Sequence, residues 1–359
     1  MLIVQRHYLK EFFKLFTLIS AGLGLVFSIL DLIDKVDDFM PGKPSVENLL
    51  LYTFFNFPKY FLYLMPAAML ICSLFIFSQA SRNREIVIIK ATGGRLRKLF
   101  QPFIFTGLLL TVVAFLLGEI VVPDFSTRSD DLKNSLEKKI GTLTFQEGTL
   151  WLRAKDGSPV RIELYIPEKK LAKGVSIFVM EKEFLKERIE AEEAVWQEVN
   201  SLTGIWRLKN VTIYDIKREQ VNNLAEYDYP NLESPDFFTN AIKKPEEMGI
   251  AELYRYTERL KRAGFRNKKL LVDMNKKVSY PFIDFFMILF GISLSMRSNI
   301  GGGLFAAGLG LLISTLYWFA YTMMLSLGYA GLIPPAVSAW LVPVVFGIVT
   351  VHLFRMIQE

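Results

Sequence analysis

From Ser298 to Phe354 the chain holds no Asp, Glu, Lys or Arg, and "GYAGLIPP" at 328–335 sets a Gly/Pro turn in the middle of that stretch. Each half is long enough to cross a hydrocarbon core about 30 Å thick, so the segment reads as two membrane spans. The remaining sequence fits the same solvent. Tyr60–Ser81 and Leu99–Gly118 are equally free of charge. Phe12–Ile33 carries Lys14 near one end and Asp31 near the other, where long or terminal polar groups reach the interface. Val278–Met296 is interrupted only by Asp284. The total is six spans. A composition of 52% hydrophobic and 14% aromatic residues lies above that of ordinary soluble domains. The basic start followed by an apolar run resembles a signal peptide, but the run is too long and no small-residue cleavage site follows, so it reads as an uncleaved anchor.

Orientation follows from the basic residues at the span ends, which favour the cytoplasm where loops are short. Arg6, Lys10, Arg82, Arg84, Lys90, Arg95, Arg97, Lys98, Arg297 and Arg355 fall on one side if the spans alternate. Both termini are then cytoplasmic. The first outer loop carries Asp31, Asp34, Asp37, Asp38 and Glu47 against Lys35, Lys43 and Lys59.

Residues from about 120 to 270 are too polar for lipid and too many for a linker, which predicts a folded domain between spans three and four. Its pattern is mostly β: "TLWLRA" (149–154), "VRIELYI" (160–166), "GVSIFVME" (174–181) and "GIWRLKNVTIYD" (204–215) alternate, and "AKDG" offers an Asp-Gly turn. A small sandwich fits this spacing best. A return helix is predicted at about 249–263, with Leu253, Tyr256 and Leu260 at helical spacing and Gly264 as its C-cap glycine. The fold class is therefore membrane α-helical with an inserted all-β domain, divided as 1–122, 123–267 and 268–359.

Candidate chemistry is sparse. There is no G-x-x-x-x-G-K-[ST] loop, so ATP is not bound in the P-loop manner. Cys72 is the single cysteine and lies within a span, which excludes an intrachain disulfide and a cysteine zinc cluster; His7 and His352, the two histidines, lie near membrane ends. No metal site is expected. Asp284 is a functional candidate as an intramembrane acid, as a relay or a substrate contact; the plain alternative is an acid hydrogen-bonded to a neighbouring helix.

The segment "SRNREIVIIKATGGRLRKL" (81–99) is a polar island between spans two and three, with six basic residues and one acid, Glu85. Ile86 and Ile89, three apart, with Arg82, Arg84 and Lys90 predict a short amphipathic helix across the cytoplasmic face, at about 82–93, which Gly93-Gly94 ends. Two uses are level on composition: basic contacts with anionic membrane lipids, or a partner contact.

"NREIVIIKATGG" (83–94) is similar to the conserved cytoplasmic segment of the lipopolysaccharide export permeases LptF and LptG. "NFPKYFLYLMPAAMLICSL" (56–74) resembles their second span, with Pro58, Lys59 and Pro66 in place, and "GTLTFQEGTLWLRAKDG" (141–157) the opening of their periplasmic β-jellyroll. "MNKKVSYPF" (274–282) matches the start of their fourth span at Lys277 and Pro281. The likeness covers essentially the whole chain, and Trp151 with Asp156-Gly157 resembles LptG more than LptF.

The resemblance implies one permease subunit of an ABC-type exporter in the inner membrane of a Gram-negative bacterium, with its β domain periplasmic. The implied partners are an LptB-type ATPase dimer that binds ATP and Mg, an LptF-type permease, and LptC-like and LptA-like jellyroll proteins. Lipopolysaccharide is the substrate; no nucleic acid is involved. Glu85 falls on the family's coupling-helix glutamate, so Arg82, Arg84, Glu85, Ile86, Ile89 and Lys90 are the expected ATPase contacts. The family's lateral gate joins span one of one permease to span five of the other. Ser20 and Gly24 in span one, and Gly303 with Ala307 and Ala306 with Gly310 in span five, are small pairs suited either to that gate or to packing inside one subunit. Where LptG members usually carry lysines at the outer end of span one, this chain reads "DLIDKVDDF", and Lys35 alone remains beside the span-four lysines Lys276 and Lys277 as a phosphate contact. Three further readings stay open: an LptF-type partner subunit, another ABC-type lipid or lipoprotein exporter, and a membrane-embedded enzyme using Asp284.

Overall fold

The computed structural model describes residues 2–40, 44–136, 144–146, 149–181, 184–200, 203–216, 219–235, 238, 244–245, 247–265, 267–297 and 302–357. It divides into a helical unit, Met1–Lys138 with Asn267–Glu359, and a β unit, Lys139–Arg266.

In the helical unit the chain forms α1 (Leu2–Phe39), α2 (Val46–Arg82), α3 (Glu85–Ala91) and α4 (Leu96–Leu116). A π-helical turn (Leu117–Val121) then leads into α5 (Val122–Leu136). The third span is thus one long helix that runs past 122, and the expected start of the β domain at 123 lies inside it. After the β unit come α7 (Lys268–Ser279), α8 (Phe282–Arg297), α9 (Gly303–Tyr329) and α10 (Pro335–Arg355). Among the described residues five helices are long and apolar enough to cross a membrane, and a sixth span arises if α7 and α8, bent by 47°, act as one. Pro281 at that bend cannot donate to the preceding turn, which accounts for the break. The chain is a multi-pass membrane protein.

Burial shows which helix organises the unit. The apolar window of α2 is 67% buried, against 22% for α1 and 28% for α9 and α10, so the other spans pack around α2. Close approach is possible where they present glycine. A Cβ built at Gly291 of α8 would stand 2.0 Å from Ser73 Oγ, and one at Gly310 of α9 would stand 3.1 Å from Ile71 Cγ1. Polar anchors add direction: Tyr280 Oη donates to the Tyr63 carbonyl at 2.6 Å, and Asn56 donates to Ser129 of α5 at 2.7 Å. Around the C-terminal half of α2, Phe12, Phe77, Phe100 and Phe103 form an edge-to-face aromatic core, with Phe77 and Phe103 centroids 5.0 Å apart.

The β unit is an antiparallel sheet whose described strands follow sequence order: β1 (Thr144–Gln146), β2 (Thr149–Arg153), β3 (Pro159–Ile166), β4 (Leu171–Glu181), β5 (Phe184–Asn200), β6 (Thr203–Asp215) and β7 (Gln220–Tyr229). Three of these, β1, β5 and β7, are strands that the alternation pattern did not single out. Gly157, at φ +83°, supplies the expected turn between β2 and β3, and Asp156 Oδ1 accepts from the Ser158 amide at 3.0 Å. Trp206 is fully buried, stacks on Phe238 at 5.2 Å and donates its indole N–H to the Glu233 carbonyl at 2.7 Å. The return helix is α6 (Ile250–Arg262), with Leu253, Tyr256 and Leu260 buried. It ends in a Schellman turn in which the Phe265 amide donates to the Leu260 carbonyl at 2.9 Å and Gly264 adopts φ +85°.

Candidate coupling and substrate sites

The polar island folds as a single short helix, α3 (Glu85–Ala91), narrower than the expected 82–93. Its limits have local causes. Arg84 sits at φ 59°, the left-handed region, and separates α3 from α2, so Arg82 is the last residue of α2 rather than a member of α3. At the other end Gly93, at φ +75°, and the Gly94 amide, donating to the Ile89 carbonyl at 2.9 Å, make a Schellman turn. Four β-branched residues are poor helix formers, and tertiary packing holds them here: Ile86 is buried in the aromatic core and Ile89 packs against it. The outward side carries Val87, 60% exposed, and Ile88, 58% exposed, alongside exposed Arg84 and Lys90.

Glu85 does not simply face solvent. It accepts a hydrogen bond from the hydroxyl of Tyr8, a buried residue of α1, and a second from Asn83 Nδ2 at 3.1 Å. The acid expected as a partner contact therefore also ties the island to the first span. Gln5 of α1 adds a side-chain bond to the Lys98 carbonyl. Tyr8 was not a candidate from sequence, although a buried tyrosine at a span end needs a partner for its hydroxyl, and the island holds one acid. Arg82 reaches toward the start of α9, its Nη1 2.5 Å from where a Cβ at Gly302 would lie.

The substrate candidates do not converge. Lys35 Nζ is 2.8 Å from Asp31 Oδ1 and 3.0 Å from Tyr52 Oη, and that hydroxyl donates to Asp31 Oδ2 at 2.9 Å, so Lys35 is held in an internal triad. Lys276 lies over the Tyr63 ring at 5.7 Å, and Lys277 is its half-buried neighbour on α7. Tyr52 and Tyr63 are eleven residues apart on α2, about 16 Å along its axis. Asp284 is 2% exposed, and its Oδ1 finds no hydrogen-bond partner among the described residues. Its carboxyl is buried inside the bundle. Among the described residues no three His, Cys, Asp or Glu side chains gather as a metal site.

Several small residues of spans one and five pack against α2. Gly24 packs against Phe57 and Phe61 of α2, Gly303 against Phe75, and Gly310 against Ile71 and Leu74. Ser20 is buried and donates to its own helix at Phe16, Ala306 is buried, and Ala307 is half-buried. The faces that α1 and α9 turn outward are instead large and apolar, including Leu18, Leu25 and Ile33, and Leu304, Phe305 and Leu316.

No curated protein matches the chain at a significant level. The family profile described as "Lipopolysaccharide export system permease LptF/LptG" matches residues 6–356, which takes in every span, α3 and the β unit. A bundle built on α2, a short helix tied to the first span and an inserted antiparallel sheet are thus the structural form of a chain that belongs to the LptF/LptG family of lipopolysaccharide export permeases.

Proposed function

We propose that the chain is the LptG-type permease of an ABC-type exporter that takes lipopolysaccharide out of the inner membrane and hands it to a periplasmic bridge. ATP and Mg are bound by a separate ATPase dimer, and an LptF-type permease completes the membrane part. The observation that carries the reading is α3. A seven-residue helix anchored by Ile86 and Ile89, with Val87 and Ile88 turned outward among basic residues, suits docking into an acidic-rimmed apolar groove on a soluble partner. The basic residues at one set of span ends support cytoplasmic termini and a periplasmic β unit. The meander of β1–β7, with Trp151 and the Asp156-Gly157 turn, supports a jellyroll of the family kind that would meet LptC-like and LptA-like proteins. Lys276 and Lys277, at the entry to the fourth span, are the phosphate contacts in this reading, with Lys35, held by Asp31, opposite them on the first.

The test is purification of the full chain from native membranes. The wild type should bring down an ATPase and a second permease, and the double variant Val87→Glu, Ile88→Glu should insert normally but lose the ATPase. A wild type that retains neither protein would overturn the proposal.

A further inference from the structure

A groove of about 540 Å³ runs along the outside of the helical unit between α8 and α10. Its walls are Phe286, Trp340, Val344, Gly347 and Ile348, and its lower end is formed by His352 and Arg355. At Gly347 the Phe286 ring packs directly against α10, where a Cβ would stand 2.7 Å from Phe286 Cζ, and the two line the groove together. At the far end the Phe282 and Trp340 rings, 5.7 Å apart, close it. Such a volume is in the range of small-molecule sites.

The two ends differ in chemistry. The upper part is wholly apolar, with Val344 48% and Ile348 65% exposed. The lower end gathers cations. Arg355 is the last residue of α10, and Arg297 is the last residue of α8, its Nη1 3.7 Å from Met356 Sδ. Neither arginine has an ion-pair partner among the described residues. From Val344 to Arg355 is eleven residues, about 16 Å of helix, close to half of a hydrocarbon core of about 30 Å. A slot one leaflet deep, apolar along its length and doubly basic at its mouth, matches a phospholipid whose acyl chain lies in the slot and whose phosphate meets the arginines.

We propose that the α8–α10 groove is a binding site for an anionic glycerophospholipid, with Arg355, His352 and Arg297 receiving its phosphodiester and Phe286, Val344 and Ile348 lying along one acyl chain. The residues that line the groove all belong to α8 and α10, and none is shared with α3, α1 or α9. Which leaflet supplies the lipid rests on the orientation proposed above; the binding chemistry does not. The bound lipid fills a groove that would otherwise face loosely packed chains and braces α10 against α8.

The experiment uses the purified full chain in mild detergent, titrated with dioleoyl phosphatidylglycerol and read by native mass spectrometry, with dioleoyl phosphatidylcholine and inorganic phosphate as controls. Phosphatidylglycerol should bind in preference to phosphatidylcholine, and phosphate alone should not compete. Arg355→Gln, an exposed change that leaves the core intact, should weaken binding about tenfold, and Val344→Trp, which fills the slot, should weaken it comparably. Equal binding of the two lipids, or unchanged phosphatidylglycerol binding in both variants, would overturn the proposal. Unchanged lipid binding with loss of a co-purifying membrane protein in Val344→Trp would also overturn it and give the groove to a partner helix. None of these outcomes depends on whether an ATPase co-purifies.

Discussion

Tyr8→Phe removes one hydroxyl and leaves the ring in place, so it isolates the bond between α1 and Glu85 from the aromatic packing around Phe77. A hydrogen bond to a charged group contributes roughly 1.5–3 kcal/mol where the unmade group is stranded away from water. Glu85 is half-buried and keeps Asn83 as a donor, so water replaces part of the loss and the lower end applies. An effect of about 1.4 kcal/mol on local opening of α3 corresponds to about a tenfold change in its open population. Amide exchange reads that population directly, at Ile88 and Thr92, whose N–H groups close the first and last turns of α3. Exchange there should speed about tenfold in Tyr8→Phe while amides in the α2 core stay protected. Glu85→Gln, which keeps an acceptor but drops the charge, should fall between wild type and Tyr8→Phe. Exchange within twofold of wild type in Tyr8→Phe would refute the claim that α1 holds the island.

Three shorter predictions follow from the same structure. Gly310→Val puts side-chain carbons where 3.1 Å separates the built Cβ from Ile71, and overpacking should cost about 1–3 kcal/mol, seen as a lower melting temperature in detergent; an unchanged melt would mean α9 sits farther from α2. Partial burial disfavours the charged Asp156, but the Ser158 backbone amide, the Tyr229 hydroxyl, the Ser158 hydroxyl and Asn231 outweigh it and hold its carboxyl below the usual carboxylate range. Its stabilisation is therefore complete above a pH of about 4 and is lost as pH falls through the folded value, so Asp156→Asn should flatten the acid side of a stability-versus-pH curve, and a parallel curve would count against the network. A cysteine at Lys209 should react with an impermeant thiol reagent from the periplasm and one at Arg95 should not; the reverse pattern contradicts the orientation.

Much of the fold is legible from where charge is absent, because a bilayer punishes unpaired polar groups more uniformly than a protein core does. The spans are read that way, and Gly264, Gly93 and Gly157 are read because positive φ leaves glycine few rivals. The strand β5 was not, since "FLKERIEAEEAVWQEVN" has helix-forming composition; its pairing with both β4 and β6, and the inward Ile189, Ala191 and Ala194, decide the matter only in three dimensions. The limits of α3 depended on Arg84 taking a left-handed conformation, which no residue type announces. Small residues in spans one and five signalled close helix contact but not the identity of the neighbour, which proves to be α2. The tie between Tyr8 and Glu85 joins residues 77 apart in sequence, a separation beyond any local pattern.

The central claim is that this chain moves lipopolysaccharide at the expense of ATP hydrolysed elsewhere. Its most direct measurement is release of lipopolysaccharide from proteoliposomes containing the natively purified complex to a soluble periplasmic acceptor, with and without ATP, for wild type and Glu85→Arg. Wild type should release lipid only with ATP, and Glu85→Arg, which sets a like charge beside Arg82 and Arg84 and breaks the bond from Tyr8, should insert fully but release little. ATP-independent release by the wild type, or release by Glu85→Arg equal to the wild type, would contradict the account.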